Sequence, residues 1–330
     1  MHFILLVILV TCQICTSTVL FRLTSKNPNV SIDFAYFLGT IHVIQDRIWP
    51  YFSNETINIL NESEEIWVEH DFTDPHVSKH IYECAIAKMT PKLQSRIREK
   101  TWSEFLNETS NNNSSQSNNT EQWRTWFIKK QSTTNNYLSR NRTIGNDIIF
   151  DHRIILEGYL NKKFVGSLES IPDDCFQIVN PINGTDSWKP INSKQENFLS
   201  LLYNCGLVAD DFINEIYKYL DLIKMKYRNQ QMMKQIRKLL QTNPHKKYLF
   251  AVGSAHLFGN ISIIEMLQEQ YQNDYHIERL NITNPYFTQQ NCSDNEFQRL
   301  INEMNFVSNN TIGKRFLNNE LFNQLSASFF

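Results

Sequence analysis

Two short turns of one form carry the candidate chemistry of this chain: Gly39-Thr40-Ile41-His42 and Gly253-Ser254-Ala255-His256. Each follows a strand-like run rich in apolar and aromatic residues, Ile32–Leu38 in the first case and Lys247–Val252 in the second. Strand ends of α/β sheets open onto a crevice where ligands bind. Gly39 and Gly253 read as turn glycines that let the backbone bend sharply there. His42 and His256 can then point their rings into the crevice, and the rings converge if the two strands are neighbours. Neutral imidazole is the commonest ligand of catalytic divalent metals. Glu69, within a third strand candidate at Ile66–Phe72, is the best-placed oxygen partner. Two imidazoles and one carboxylate leave positions open for water and a substrate carbonyl. Whether Glu69 is a metal ligand, a general base or both stays open at this point.

One G-x-x-H turn carries little information, because ordinary core and turn histidines produce the same string. Its repetition in the same context is what gives it weight. A rival metal pair is His76 and His80, four apart on one face of an expected helix. Val77 stands where an H-E-x-x-H motif has its Glu, and no third ligand falls at a familiar distance, so these read as surface histidines. No G-x-S-x-G elbow surrounds Ser254, and no phosphate-binding glycine loop occurs. The formal net charge of -2 supplies no basic field for nucleic acid.

Strands, helices and loops around these residues can be read from the pattern. The chain has 330 residues, enough for one large domain or two small ones with a sizeable core. Behind the second turn, Ile261–Leu267 reads as a helix, so strand, G-x-x-H and a following segment recur twice. Val77–Met89 and Pro91–Phe105 read as helices. Residues 107–120 are nearly all Asn, Ser, Thr and Gln and read as a loop, with a similar shorter stretch at Ser132–Asn141. Between them lies an aromatic island, Trp123–Phe127, which reads equally as a helix turn or a lid. From Ala209 to Leu240 apolar residues recur at helical spacing, and Asn243-Pro244 ends the pattern. Arg228-Asn229 interrupts that stripe.

Phe3–Val10 is too short to span a membrane and reads as the core of a secretory signal over residues 1–17, with cleavage near Ser17. The alternative is a buried N-terminal strand. Cys84, Cys175, Cys205 and Cys292 then remain, an even set that predicts two disulfides of undecided pairing. N-x-S/T acceptor sequences at Asn54, Asn61, Asn107, Asn141, Asn183 and Asn281 agree with secretion.

Three blocks together resemble the TraB/GumN/Tiki family, and its Tiki-type metalloproteases most. They are Phe37–Val43, Trp67–Pro75 and Phe250–Asn260. Leu202–Gly206, Tyr227-Arg228-Asn229, Cys84, Cys175 and the spaced acids Asp151, Glu157 and Glu169 also resemble Tiki segments. The likeness covers nearly the whole mature chain, thinly between Met89 and Asn146. It implies an α/β fold of the erythromycin-esterase/Tiki superfamily, with a mixed sheet flanked by helices and the metal at strand ends. The family domain would occupy residues 18–315, followed by a tail over 316–330. It implies a metal-dependent endopeptidase favouring manganese or cobalt, which trims the amino-terminal region of Wnt proteins and so opposes Wnt signalling. By motif match His42 and His256 are the paired histidines, Glu69 the acid of the site and Arg228 a nearby arginine. That arginine would hold a carboxylate, stabilise an oxyanion, or form a structural ion pair inside its helix. The alternatives on the same fold are a catalytically silent binding domain and a small-ester hydrolase.

Three departures from the family pattern stand out, one of them the Asn-rich loop at 107–120. Ala255 occupies a position where many relatives have Gly, a strain if the backbone there needs positive φ. Family members usually end in a membrane anchor, and Ser326–Phe330 is none, so membrane attachment is undecided between a soluble form and a truncated one. The expected location is the extracellular space or cell surface.

Overall fold

A computed structural model describes residues 19–26, 32, 34–71, 74, 77, 148–169, 199–201, 203–205, 208, 213 and 222–282. Its strands are β1 (Leu20–Ser25), β2 (Ala35–Thr40), β3 (Glu65–Val68), β4 (Phe164–Ser167), β5 (Tyr248–Gly253) and β6 (Tyr275–Arg279). Its α-helices are α1 (Asn54–Glu62), α2 (Phe150–Leu160), α3 (Leu222–Thr242) and α4 (Ile263–Gln270). The strands form one mixed sheet in the order β4-β3-β5-β2-β1-β6. β4, β3, β5 and β2 run parallel, while β1 is antiparallel to both β2 and β6.

Parallel strands buried on both faces read as unbroken apolar runs. β5 is such a strand, with every residue of YLFAVG buried. It lies between β2 and β3, so both G-x-x-H segments leave neighbouring strands at the same edge of the sheet. Register fixes their relation: Thr40 pairs with Gly253, and Val68 pairs with Ala251. Phe37 and Phe250 are partners in that register, with ring centroids 5.2 Å apart. Each is fully buried, which stabilises the fold by about 1.5–3 kcal/mol per ring.

β3 stops at Val68, short of the run expected to continue to Phe72. The loop after it is instead tied sideways to β4 and α2. The Glu169 N–H donates to the Glu69 carbonyl, the Asp71 N–H to Ser167 Oγ at 2.8 Å, and the Tyr159 hydroxyl to Asp71 Oδ2 at 2.6 Å. α2 lies close on the sheet because Gly158 has no side chain; a Cβ there would stand 2.7 Å from Val165 Cγ2 and 3.1 Å from Ile66 Cδ1.

α4 begins at the N-cap Ser262, whose hydroxyl accepts from the Glu265 N–H at 3.0 Å, an arrangement worth about 1 kcal/mol. α3 buries Met225, Asn229, Met232, Met233, Ile236 and Leu240, the three-and-four spacing expected of it. The helices expected at 78–89 and 91–105, the segments at 107–120, 123–127 and 132–141, the signal at 1–17 and the tail at 316–330 lie outside the described residues. No described helix is long and apolar enough to cross a membrane.

Candidate functional site

The two G-x-x-H turns touch. The Ser254 hydroxyl donates to the Thr40 carbonyl at 2.9 Å, and the Tyr203 hydroxyl donates to the Gly39 carbonyl at 2.6 Å. Ser254 is fully buried in that structural role. Neither turn glycine acts as the sequence suggests. Gly39 lies inside β2, and Gly253 has φ -51, so neither supplies a left-handed turn. Gly39 is needed for closeness instead, since a Cβ there would stand 2.8 Å from Ser254 Oγ and overlap Val19. Among the described residues Lys162 alone, besides Gly259, has positive φ, so Ala255 sits without strain in a short 3-10 turn, Ser254–His256.

Glu69 stands beside the second turn. Its Oε1 accepts from the Gly253 N–H at 2.5 Å and faces His256 Nε2 at 3.4 Å. Its Oε2 accepts from Arg228 Nη2 at 3.0 Å. Arg228 donates through Nε to Glu169 Oε1 at 2.8 Å, and Glu169 Oε2 meets His70 Nε2 at 3.0 Å. His256 Nδ1 meets Asn229 Oδ1 at 2.5 Å. A second arm surrounds the first turn: His42 Nδ1 meets Asp151 Oδ2 at 2.8 Å, and the Thr40 hydroxyl donates to Asp151 Oδ1.

The charges of the two arms are coupled. Burial alone would raise the Glu69 carboxyl, but His256, Arg228 and His42 together hold it well below the ordinary carboxylate range. Burial likewise opposes Glu169, and Arg228 with His70 brings it down to about 2. Asp151 is lowered against the cost of burial by His42 and Thr40. Arg228 is raised despite burial by Glu169 and Glu69. Its ion pairs run to two other elements rather than along its own helix.

The structure thus brings Glu69, Arg228 and His256 into contact, with His42 within electrostatic reach of Glu69. His42 itself is turned to Asp151. Among the described residues no three His, Cys, Asp or Glu side chains are gathered as a finished metal-holding group. The donor chemistry nonetheless fits a divalent ion: two imidazoles and a carboxylate lie at one sheet edge, with His256 Nε2 3.4 Å from Glu69 Oε1. Of the spaced acids, Asp151 and Glu169 join the cluster, whereas Glu157 pairs with Arg153 on α2. Asp151, Glu169, His70, Thr40 and Asn229 had no role assigned from sequence. The signals for them were the family likeness of the blocks that hold Thr40, His70 and Asn229, the likeness of the spaced acids Asp151 and Glu169, and the break at Arg228-Asn229 in the apolar stripe.

Cys205 is disulfide-bonded. Cys84, Cys175 and Cys292 lie outside the described residues, as do His76, His80, Asn107, Asn141 and Asn183. Asn54, Asn61 and Asn281 are exposed.

The model of the TraB/PrgY/gumN family matches residues 20–279, well over half of the chain. The chain is 23% identical over 297 residues to the metalloprotease TIKI homolog of Nematostella vectensis, covering 71% of this chain and 63% of that one. It is 22% identical over 299 residues to metalloprotease TIKI1 of Xenopus tropicalis, covering 71% and 58%. It is 21% identical over 301 residues to metalloprotease TIKI1 of Homo sapiens, covering 72% and 58%. The chain therefore spans about three fifths of the length of these curated relatives. No solved structure matches it.

Proposed function

The chain belongs to the TraB/PrgY/gumN family, and from that premise we propose that it is a secreted or cell-surface metal-dependent endopeptidase acting on Wnt-like proteins. The observation that carries the proposal is the approach of His256 Nε2 to Glu69 Oε1 at 3.4 Å, beside a second strand-end histidine, His42, that follows the neighbouring strand β2. His42, His256 and Glu69 would hold the ion, with manganese or cobalt favoured. When bound, the ion supplies a Lewis acid for the scissile carbonyl and lowers the pKa of water.

The chain's own residues have definable parts in this reading. Both Glu69 oxygens accept N–H groups and the carboxyl is strongly acidic, so Glu69 contributes negative charge and not proton uptake. This favours its role as ligand over general base. Arg228 holds Glu69 and Glu169 through two different nitrogens, so it positions carboxylates and is not turned to an oxyanion. His256 is 0% exposed while the His42 side chain is 30% exposed, so a substrate reaches the site from the His42 side.

The Wnt assignment follows from the likeness of the three sequence blocks to Tiki proteins. The disulfide at Cys205 and the exposed acceptors Asn54, Asn61 and Asn281 favour an oxidising, secretory location. Incubation of the purified chain with a peptide from a Wnt amino-terminal region, with Mn2+ and with chelator, tests the activity. Cleavage only with the metal is the expected result. Equal cleavage after chelation, or none with any divalent metal, would contradict it.

A further inference from the structure

Asn229 is fully buried on the apolar stripe of α3, where helical spacing calls for a hydrophobic side chain. Its amide is oriented by chemistry. The Nδ2 group donates to the Ile261 carbonyl at 2.6 Å, and a carbonyl oxygen can only accept. Oδ1 is therefore the atom that meets His256 Nδ1 at 2.5 Å. An amide oxygen also only accepts, so the proton of that bond belongs to Nδ1. In the neutral ring the lone pair is then on Nε2, the nitrogen that faces Glu69 Oε1 at 3.4 Å.

Left to itself, the ring would prefer the opposite tautomer here. The Glu69 carboxylate stands ready to accept a proton from Nε2, which would turn the lone pair toward Nδ1 and away from the site. We propose that Asn229 is a positioning residue that locks His256 in the Nδ1–H tautomer and so presents the Nε2 lone pair beside Glu69. The role rests on the reading of His256 as a metal ligand, since such ligands depend on the partner of their second ring nitrogen. His42 receives the same service from a carboxylate, Asp151, itself held by Thr40. The fully buried ring thus has a neutral partner and the half-buried ring an anionic one.

The test separates positioning from the tie to Ile261. Asn229→Ala and Asn229→Asp both lose that tie, but only Asn229→Asp keeps an acceptor for Nδ1–H. Long-range 1H–15N spectra of the full chain, taken at a pH where the imidazoles are neutral and assigned with His256→Ala, report the tautomer directly. Wild type and Asn229→Asp should show protonated Nδ1 at His256, and Asn229→Ala should show Nε2–H or a mixture. Titration with Mn2+ alone should give similar affinities for the first two and a loss of about 10–100-fold for Asn229→Ala. An unchanged tautomer in Asn229→Ala would overturn the proposal, as would Asn229→Asp falling as far as Asn229→Ala. If wild type shows the expected tautomer but takes up no Mn2+, the metal reading of the site fails and only the fixing of the His256 tautomer by Asn229 stands.

Discussion

Arg228 Nη2 donates to Glu69 Oε2 at 3.0 Å from a helix that begins more than 150 positions later in the chain. The bond connects the loop after β3 to α3, and the same guanidinium reaches Glu169 after β4. One cation thus holds two carboxylates that burial would otherwise drive toward protonation.

Replacing Arg228 by Met should leave both carboxylates buried without their common cation. Breaking such a pair typically costs about 3–5 kcal/mol, which corresponds to a fall in Tm of roughly 4–9 °C for a domain of this size. Arg228→Lys should recover only part of this, because an ammonium cannot reproduce the fork that serves two carboxylates. Thermal unfolding of the three proteins checks it. An Arg228→Met variant as stable as wild type would show that the bridge contributes nothing.

The same carboxylates set an acid limit. Glu169 lies at about 2 in the folded chain against an ordinary 4.5, and Glu69 and Asp151 are also depressed. A depressed folded pKa means that the unfolded chain binds protons first as pH falls. The stabilisation is therefore complete above about pH 5 and is lost as pH drops through 4.5 toward 2. Tm should be flat from neutral pH to about 5 and then decline, with a shallower decline for Glu169→Gln. A Tm that rises on acidification would contradict the assigned shifts.

The two turns respond differently to small side-chain changes. Gly39→Ala pushes a methyl group against Val19 and Ser254 and should destabilise by about 1–3 kcal/mol. Ala255→Gly should also destabilise, by about 0.5–1 kcal/mol, because Ala255 has no positive φ to relieve. Chemical denaturation of both variants measures this. A stabilising Ala255→Gly would reveal strain that the backbone does not show.

The legible parts of the fold are those where burial imposes a pattern. β2 and β5 read as apolar runs because neighbours cover them on both sides, and α3 read as a helix from its buried stripe. β1, β4 and β6 did not stand out, because they carry exposed or polar positions toward the margins of the sheet. The site was legible at the G-x-x-H repeats, since the motif itself holds the histidines. Its supporting groups were not: Asp151 is 109 positions from His42, and Asn229 is 27 from His256. Only the packing of α2 and α3 against the strand ends brings such residues together. The glycines were misread because a short motif does not distinguish a turn from a close approach.

The most direct measurement is cleavage of a Wnt amino-terminal peptide by chains carrying His42→Ala, His256→Ala or Glu69→Ala, each first shown to be secreted and thermally normal. Wild type should cleave with Mn2+ and each variant should lose activity almost completely, because the groups left behind cannot supply the activated nucleophile. His76→Ala and His80→Ala should cleave like wild type. Full activity in His42→Ala and His256→Ala would contradict the claim that these two histidines form the working centre.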